Sequence, residues 1–209
     1  MIALRVTVPI ACFRKGFARE FWESEELPPP ATCYGFLLSL VGEQNRRRHV
    51  GARICPALLN QPERSAVLRT LWRVKKLPLG SSGNTRPDYQ EILSNVRLAI
   101  WLDSTEEAGA EPTLEERVHT ALDHPEQIDR FGGLSLGEST HLVNEVTRLP
   151  ESPNLRARAY LLNERGRLSM PVWVDHVGSA GTRYVCGDLV ETDILPPDRN
   201  RMPRIDPPN

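Results

Sequence analysis

Phe21-Trp22-Glu23-Ser24-Glu25-Glu26-Leu27-Pro28-Pro29-Pro30-Ala31-Thr32-Cys33-Tyr34-Gly35-Phe36-Leu37-Leu38-Ser39-Leu40-Val41-Gly42-Glu43 joins an aromatic, acidic loop to three consecutive prolines and then directly to an apolar run. Three prolines hold the incoming chain extended and neither continue a helix nor donate to a sheet, so they set where the next element begins. Thr32 is the expected cap of its first turn. Cys33, Phe36, Leu37, Leu40 and Val41 recur at helical spacing, and Tyr34 and Leu38 widen the stripe. That pattern predicts a helix buried over most of its circumference.

Upstream of this stretch, Ile2, Leu4, Val6 and Val8 alternate with Ala3, Arg5 and Thr7 up to Pro9, the period of a strand with one buried face. Phe13-Arg14-Lys15-Gly16-Phe17-Ala18-Arg19 then interleaves aromatics with positive charge. Such a loop stacks bases while pairing phosphates, or else turns its phenylalanines inward and leaves its charges solvated.

Downstream, Arg46-Arg47-Arg48-His49 sits just past the predicted helix, where positive charge complements the helix dipole; such a run is ordinarily a solvated patch, and phosphate contact is the sharper reading. Residues 50–59 read as a second strand interrupted by Pro56. In residues 68–75, Arg69, Arg73 and Lys75 project to one side and Leu68, Trp72 and Val74 to the other. Gly80-Ser81-Ser82-Gly83-Asn84 makes a tip, and Val96, Leu98, Ile100 and Leu102 alternate on the return, so the region reads as a long hairpin or as two strands around an extended loop, its basic face either gripping a nucleic-acid backbone or simply the solvent side of an ordinary sheet. Thr113-Leu114-Glu115-Glu116 is a capping box opening a surface helix whose carboxylates are expected to cap or be solvated.

Arg130 to Val143 is the second informative stretch. Gly132, Gly133, Ser135, Gly137 and Ser139 fall within eight residues, which lets the backbone turn tightly and present its N–H groups to an anion or a closely approaching ligand. Neither the triphosphate-loop motif nor the dinucleotide fingerprint is present. Residues 157–163 and 168–175 flank Glu164-Arg165-Gly166 and read as a hairpin, with a further strand from Tyr184 to Val190. From Pro196 the proline-rich tail carrying Arg199, Arg201 and Arg204 is expected to be disordered or to fold only against a partner.

Across 209 residues the formal net charge is -1, yet of 26 basic residues only Lys15, Lys75 and Lys76 are lysine, leaving 23 arginines. Guanidinium suits phosphate and base recognition better than ammonium does, although a GC-rich genome produces the same skew. Cys12, Cys33, Cys55 and Cys186 lie far apart and form no paired spacing with the histidines, so neither a metal site nor a redox motif is expected. No run reaches the roughly 18 apolar residues of a membrane helix and nothing at the N-terminus reads as a signal peptide, so a cytoplasmic protein with reduced thiols is expected.

The order of strand, Pro-Pro-Pro-Ala-Thr-Cys-Tyr-Gly-Phe-Leu-Leu-Ser-Leu-Val-Gly-Glu, basic hairpin, acidic helix and Gly-Gly-Leu-Ser-Leu-Gly-Glu-Ser resembles the fifth Cas protein family (Cas-five) of type I CRISPR complexes, within the repeat-associated (RAMP) superfamily. The variant known as fruiting body developmental protein S is the most similar. The resemblance is strongest over 1–45 and 131–147. It implies an α+β fold: a ferredoxin-like, RNA-recognition-motif-like core over 1–150 with an inserted thumb hairpin at about 66–100, a β-rich extension over 151–195, and a tail over 196–209.

It also implies a non-catalytic subunit of the surveillance complex (Cascade), serving antiviral defence or guided transposition, that binds the 5′ handle of the crRNA. Such a subunit contacts backbone and large subunits, meets target DNA only through the assembled complex, and needs no cofactor. On this chain the RNA-binding residues would be Arg14, Lys15, Arg19, Tyr34, Gly35, Arg46, Arg47, Arg48, Arg69, Arg73, Lys75, Gly132, Gly133, Ser135, Gly137 and Ser139, with Tyr34 and Gly35 beside the glycine-rich loop. The alternative is the branch of the family that cleaves precursor CRISPR RNA without metal, for which Tyr34, Lys15 and His49 or His141 are the candidates. Glu23-Ser24-Glu25-Glu26 departs from a simple RNA surface, since it repels phosphate unless it faces protein or solvent.

Overall fold

Strict alternation at the N-terminus buries one side of β1 (Ile2–Ala11): Ile2, Leu4, Val6 and Val8 are inside and Ala3, Arg5 and Thr7 only partly so. The structure is a computed structural model that describes residues 1–16, 21–72, 78, 80–150, 156–177, 179–192 and 196–208. The further strands are β2 (Phe21–Trp22), β3 (Arg53–Leu58), β4 (Glu63–Trp72), β5 (Thr85–Asp103), β6 (Glu145–Arg148), β7 (Ala157–Leu162), β8 (Leu168–Trp173) and β9 (Arg183–Thr192). The two α-helices among the described residues are α1 (Pro30–Leu40) and α2 (Leu114–Asp123).

Among the described residues the nine strands share one sheet in the order β6-β1-β5-β3-β7-β9-β8, with β2 and β4 also on β5. The fold is thus mixed, with a sheet that is antiparallel throughout except where β2 runs parallel to β5. Leu4 lies opposite Ile100 and Val6 opposite Leu98, so the alternation of β1 and that of β5 meet on one face. Phe36 and Leu37 of α1 and Leu114 and Val118 of α2 cover that face.

Helix α1 starts as the prolines dictate, but its cap differs from expectation. Pro29 occupies the N-cap with no side-chain bond, Pro30 is the first helical residue, and Thr32 lies inside the helix. A proline there removes one of the N–H groups a cap would serve. The capping box of α2 is present, with Thr113 and Glu116 each bonding the other's backbone.

Ala99 and Trp101 point to the opposite face of β5, where Cys55, Ala57, Ala157, Ala159, Leu161 and Met202 form a second, smaller core. Three of these are alanines, which leave room for the indole. Pro56 does not interrupt β3: it faces Ile100 on β5, and β7 pairs only with Ala57 and Leu58, so no neighbour needs the missing N–H.

Two further expectations are corrected. β7 and β8 do not form a hairpin, because β9 runs between them. Gly187 makes this possible, since a Cβ there would stand 2.5 Å from the Leu161 carbonyl oxygen and 2.8 Å from the Tyr160 ring. Nor is the C-terminal segment disordered. Met202 and Ile205 are fully buried, Ile205 N–H donates to the Ala52 carbonyl at 2.8 Å, and Ile54 N–H donates to the Pro203 carbonyl at 2.8 Å. Composition pointed to disorder because prolines and arginines dominate the tail, yet Met202 seals the small core and Ile205, three residues on, enters the main one. Met202→Ala is expected to destabilise the protein by about 2–5 kcal/mol, read as a lower urea midpoint with unchanged slope.

Candidate nucleic-acid interface

The expected RNA-binding residues fall into three groups. Arg19, Arg73 and Lys75 lie outside the described residues.

The first group follows β1. Phe13 is buried, so it packs inward and offers no stacking surface. Arg14 places its guanidinium 4.1 Å from the centroid of Trp22, and Lys15 lies 3.9 Å from Glu23. The acidic run is largely occupied: Ser24 accepts from Phe13 N–H at 2.9 Å, and Glu26 approaches Arg64 and Arg158 at 3.8 and 3.0 Å. Glu26 is thereby partly neutralised beside a surface proposed for phosphate.

The second group is the corner between hairpin and glycine-rich loop. β4 and β5 pair continuously from Glu63–Ser94 to Trp72–Thr85, giving the long hairpin expected for this region. Arg69 donates to Glu138 at 2.8 Å and also bonds Gln90, while Gln90 donates to Glu138 at 2.7 Å. Arg69 therefore latches the hairpin to the loop. The loop closes on itself through the Ser135–Leu142 bridge and docks through His141, whose Nδ1 accepts from Cys12 N–H at 3.2 Å and Glu138 N–H at 3.3 Å. Two donors on one nitrogen require that nitrogen to be unprotonated, and burial likewise pushes the imidazole below its usual range. Gly137, at φ +101°, lies where a Cβ would come 2.7 Å from the Cys12 carbonyl oxygen, so only glycine permits the docking. Gly132, at φ +76°, has open space around it, and Gly133 and Ser139 are exposed. Beside them Phe131 projects fully into solvent.

The third group surrounds Trp173 of β8. Arg46 stacks its guanidinium 3.9 Å from the indole centroid and donates to the Val174 carbonyl at 2.6 Å, while the exposed Arg47 lies 5.7 Å from the same ring. Tyr34 is buried beside Trp173 with ring centroids 6.5 Å apart, and its hydroxyl donates to the Arg46 carbonyl at 2.8 Å. Thr32, Gly35 and Leu38 of α1 face Trp173, Val174 and His176 across a groove of ≈ 260 Å³. A Cβ on Gly35 would meet nothing within 4 Å, so the groove is open there. Arg48 turns away to pair with Glu43 at 3.2 Å.

The partners of Tyr34 and Gly35 are thus β8 and the 46–47 turn, whereas those of the glycine-rich loop are the end of β1 and the hairpin. This corrects the expected pairing of helix start with loop. The cause is β8, which packs on α1 and which no local pattern placed there. Sequence reading also missed Trp173, Phe131 and Glu138. Trp173 sits in an ordinary strand alternation, Phe131 next to glycines, and Glu138 among loop residues, so only the aromatic next to glycine carried a usable signal.

The side chains proposed for RNA cleavage are already engaged. His49 is fully buried, with Nδ1 2.7 Å from Glu107 and Nε2 3.0 Å from Arg117. The Tyr34 hydroxyl is spent on Arg46, and burial raises its pKa well above the usual phenol range. Among the described residues no cluster of His, Cys, Asp and Glu has the geometry to hold a metal ion, and no helix is long and apolar enough to cross a membrane.

No family model matches the chain. CRISPR-associated protein Cas5 of Myxococcus xanthus (strain DK1622) is 52% identical over 208 residues, 98% of this chain and 97% of that protein. A chain of a solved CRISPR RNA-guided surveillance complex has a TM-score of 0.60 at 13% identity, covering 91% of this chain and 89% of its own. A crystal structure of a Cas protein gives 0.51 at 15% identity over 97% of both chains. The two structures share the fold; the relative, with half its residues identical from end to end, settles the lineage. This chain is a member of the CRISPR-associated Cas5 family.

Proposed function

We propose that the protein is the RNA-holding subunit of a type I CRISPR surveillance complex, binding the 5′ handle of the crRNA and contacting the backbone and large subunits, without cutting RNA itself. The observation that carries this reading is the groove at Trp173, where a buried aromatic, the stacked Arg46 and the exposed Arg47 converge beside an open first turn of α1. The exposed guanidinium of Arg47 offers the charge for a phosphate, and the open first turn of α1 leaves room in the groove for the base beside it. Family membership and the likeness to a surveillance-complex chain support the same reading. We read the order β1, α1, β3, β5, α2, β6, with neighbours β6-β1-β5-β3, as a ferredoxin-like core of the RNA-recognition-motif type. The hairpin is its thumb.

The non-catalytic assignment rests on Tyr34 and His49, whose hydroxyl and ring nitrogens are spent on intramolecular contacts, and on His141, whose Nδ1 accepts two backbone N–H groups. Arg47→Glu is expected to weaken binding of a handle RNA oligonucleotide and to lower the slope of log K against log salt by about one, with folding unchanged. An unaltered affinity and slope would remove Arg47 and the groove from the RNA path. Incubated with repeat RNA and no metal, the purified chain should leave it intact; a single cut abolished by Tyr34→Phe would overturn the non-catalytic assignment.

A further inference from the structure

The hairpin carries its polar and apolar faces the wrong way round for a solvated arm. Phe21, Tyr89 and Leu68 lie directly opposite one another across β2, β5 and β4, so their side chains share one face. They are 45%, 57% and 63% exposed. Ala66 and Pro87, on the same side by strand alternation, are exposed as well. The opposite face holds Asp88 and Gln90, both buried, and Arg69, turned toward Glu138. The inward face is therefore ionic, while the outward face carries an exposed apolar row beside the Arg64–Glu91 pair. Leu93, four residues further along β5 on the outward side, is sealed in the main core, so this face runs out of the core into solvent.

The edge of the hairpin is also unprotected. Among the described residues β4 pairs with β5 alone, leaving its outer row of backbone groups unpartnered, and Ser65-Ala66-Val67-Leu68 contains neither a charge nor a proline to discourage pairing. We infer that β4 accepts an extended segment of a neighbouring protein subunit as an added strand, with an apolar side chain of that segment resting on Leu68 and Tyr89. Main-chain bonds along β4 hold the segment, and the apolar row selects it.

Charge decides between protein and RNA as occupant. The described cations near this row are both paired: Arg64 is held by Glu91 at 2.8 Å and approached by Glu26 at 3.8 Å, and Lys15 lies 3.9 Å from Glu23, so the carboxylates outnumber the cations around it. An uncharged protein strand matches it and a polyanion does not. The inference rests on the proposed membership of a multi-subunit complex and adds the place and manner of one protein contact.

The test is hydrogen–deuterium exchange on the chain alone and on the complex reconstituted with crRNA, backbone subunits and large subunit. Amides of residues 63–70 that face away from β5 should exchange at least about tenfold more slowly in the complex, and this protection should survive ribonuclease digestion. Leu68→Glu with Tyr89→Glu, both exposed, should abolish the protection and release the chain from the digested complex, while leaving its own melting curve and its affinity for handle RNA unchanged. Protection that vanishes with the RNA identifies a nucleic-acid occupant and overturns the inference, as does a dimer of the chain alone that protects the same amides. Absence of protection in an assembled complex overturns it too. Failure to assemble at all, with handle RNA still bound, counts against the complex as well as the contact, whereas loss of RNA binding by the unsubstituted chain counts against the proposed function alone.

Discussion

Arg69→Glu is expected to lower affinity for handle RNA by about tenfold or more, and the exchange Arg69→Glu with Glu138→Arg is expected to recover most of it. An isolated surface ion pair would not justify this, since such pairs contribute little. Here the pair is one side of a closed triangle in which Gln90, 2% exposed, bonds both Arg69 and Glu138. Reversing one charge places two carboxylates against each other at the joint between hairpin and glycine-rich loop, and both surfaces lose their relative position. The exchange restores attraction with the polarity inverted. Direct contact between Arg69 and a phosphate predicts the contrary, because the exchange would then move the cation onto the loop and leave a carboxylate facing the backbone. Binding isotherms for the four members of the cycle distinguish the two; an exchange no better than Arg69→Glu alone would sink the latch and reinstate the phosphate contact.

The second large effect is on stability. Arg117→Ala is expected to cost about 3–5 kcal/mol and to lower the melting temperature on the order of 10 °C for a chain of this size. Arg117 joins α2 to the end of α1: it pairs with Glu43, lies 3.0 Å from His49 Nε2, and donates to the Val41 carbonyl at 3.0 Å. On the far side of the imidazole stands Glu107, which also accepts from Leu114 N–H at 3.1 Å in the first turn of α2. Removing the guanidinium leaves Glu43, whose side chain is 9% exposed, with the partly exposed Arg48 as its remaining cation.

The same site sets an acid limb. Burial by itself pushes the Glu43 carboxyl up, but donation from Arg117 and from Asn45 N–H outweighs it and holds the group down to about 2, against an ordinary 4.5. A depressed carboxyl stabilises the fold fully above its unfolded value. That contribution is lost as pH falls from about 4.5 towards 2. The gap between wild type and Arg117→Ala should therefore be widest near neutrality and narrow across that window, measured by urea unfolding at several pH values. A gap that stays constant down to pH 2.5 would show that Glu43 is not the carboxylate concerned.

Local pattern determined much of this molecule. Alternation over 2–8 and 96–102 specified two strands and their inward faces, the prolines specified where α1 begins, and Thr113 with Glu116 specified α2. Each depends on residues within a few positions of one another, which sequence displays directly. The arginine excess and the glycine-rich loop likewise marked the stretches from which the proposed RNA surface is built.

Tertiary structure decided what those stretches touch. Arg69 was legible as a cation on a strand, but only the arrival of Glu138 from 69 residues away makes it a latch. Trp173 was an ordinary strand residue until Arg46 stacked on it, and the insertion of β9 between β7 and β8 was invisible because a turn signal is the same whether the next strand pairs at once or leaves a gap. Met202 and Ile205 looked like parts of a proline-rich tail because composition counts residues without asking which cavity awaits them. Sequence by itself determined elements, periodicities and family, since these follow from neighbours along the chain; pairing order, the burial of the tail and the division of faces on the hairpin follow from contacts across it, and those exist only once the sheet has assembled.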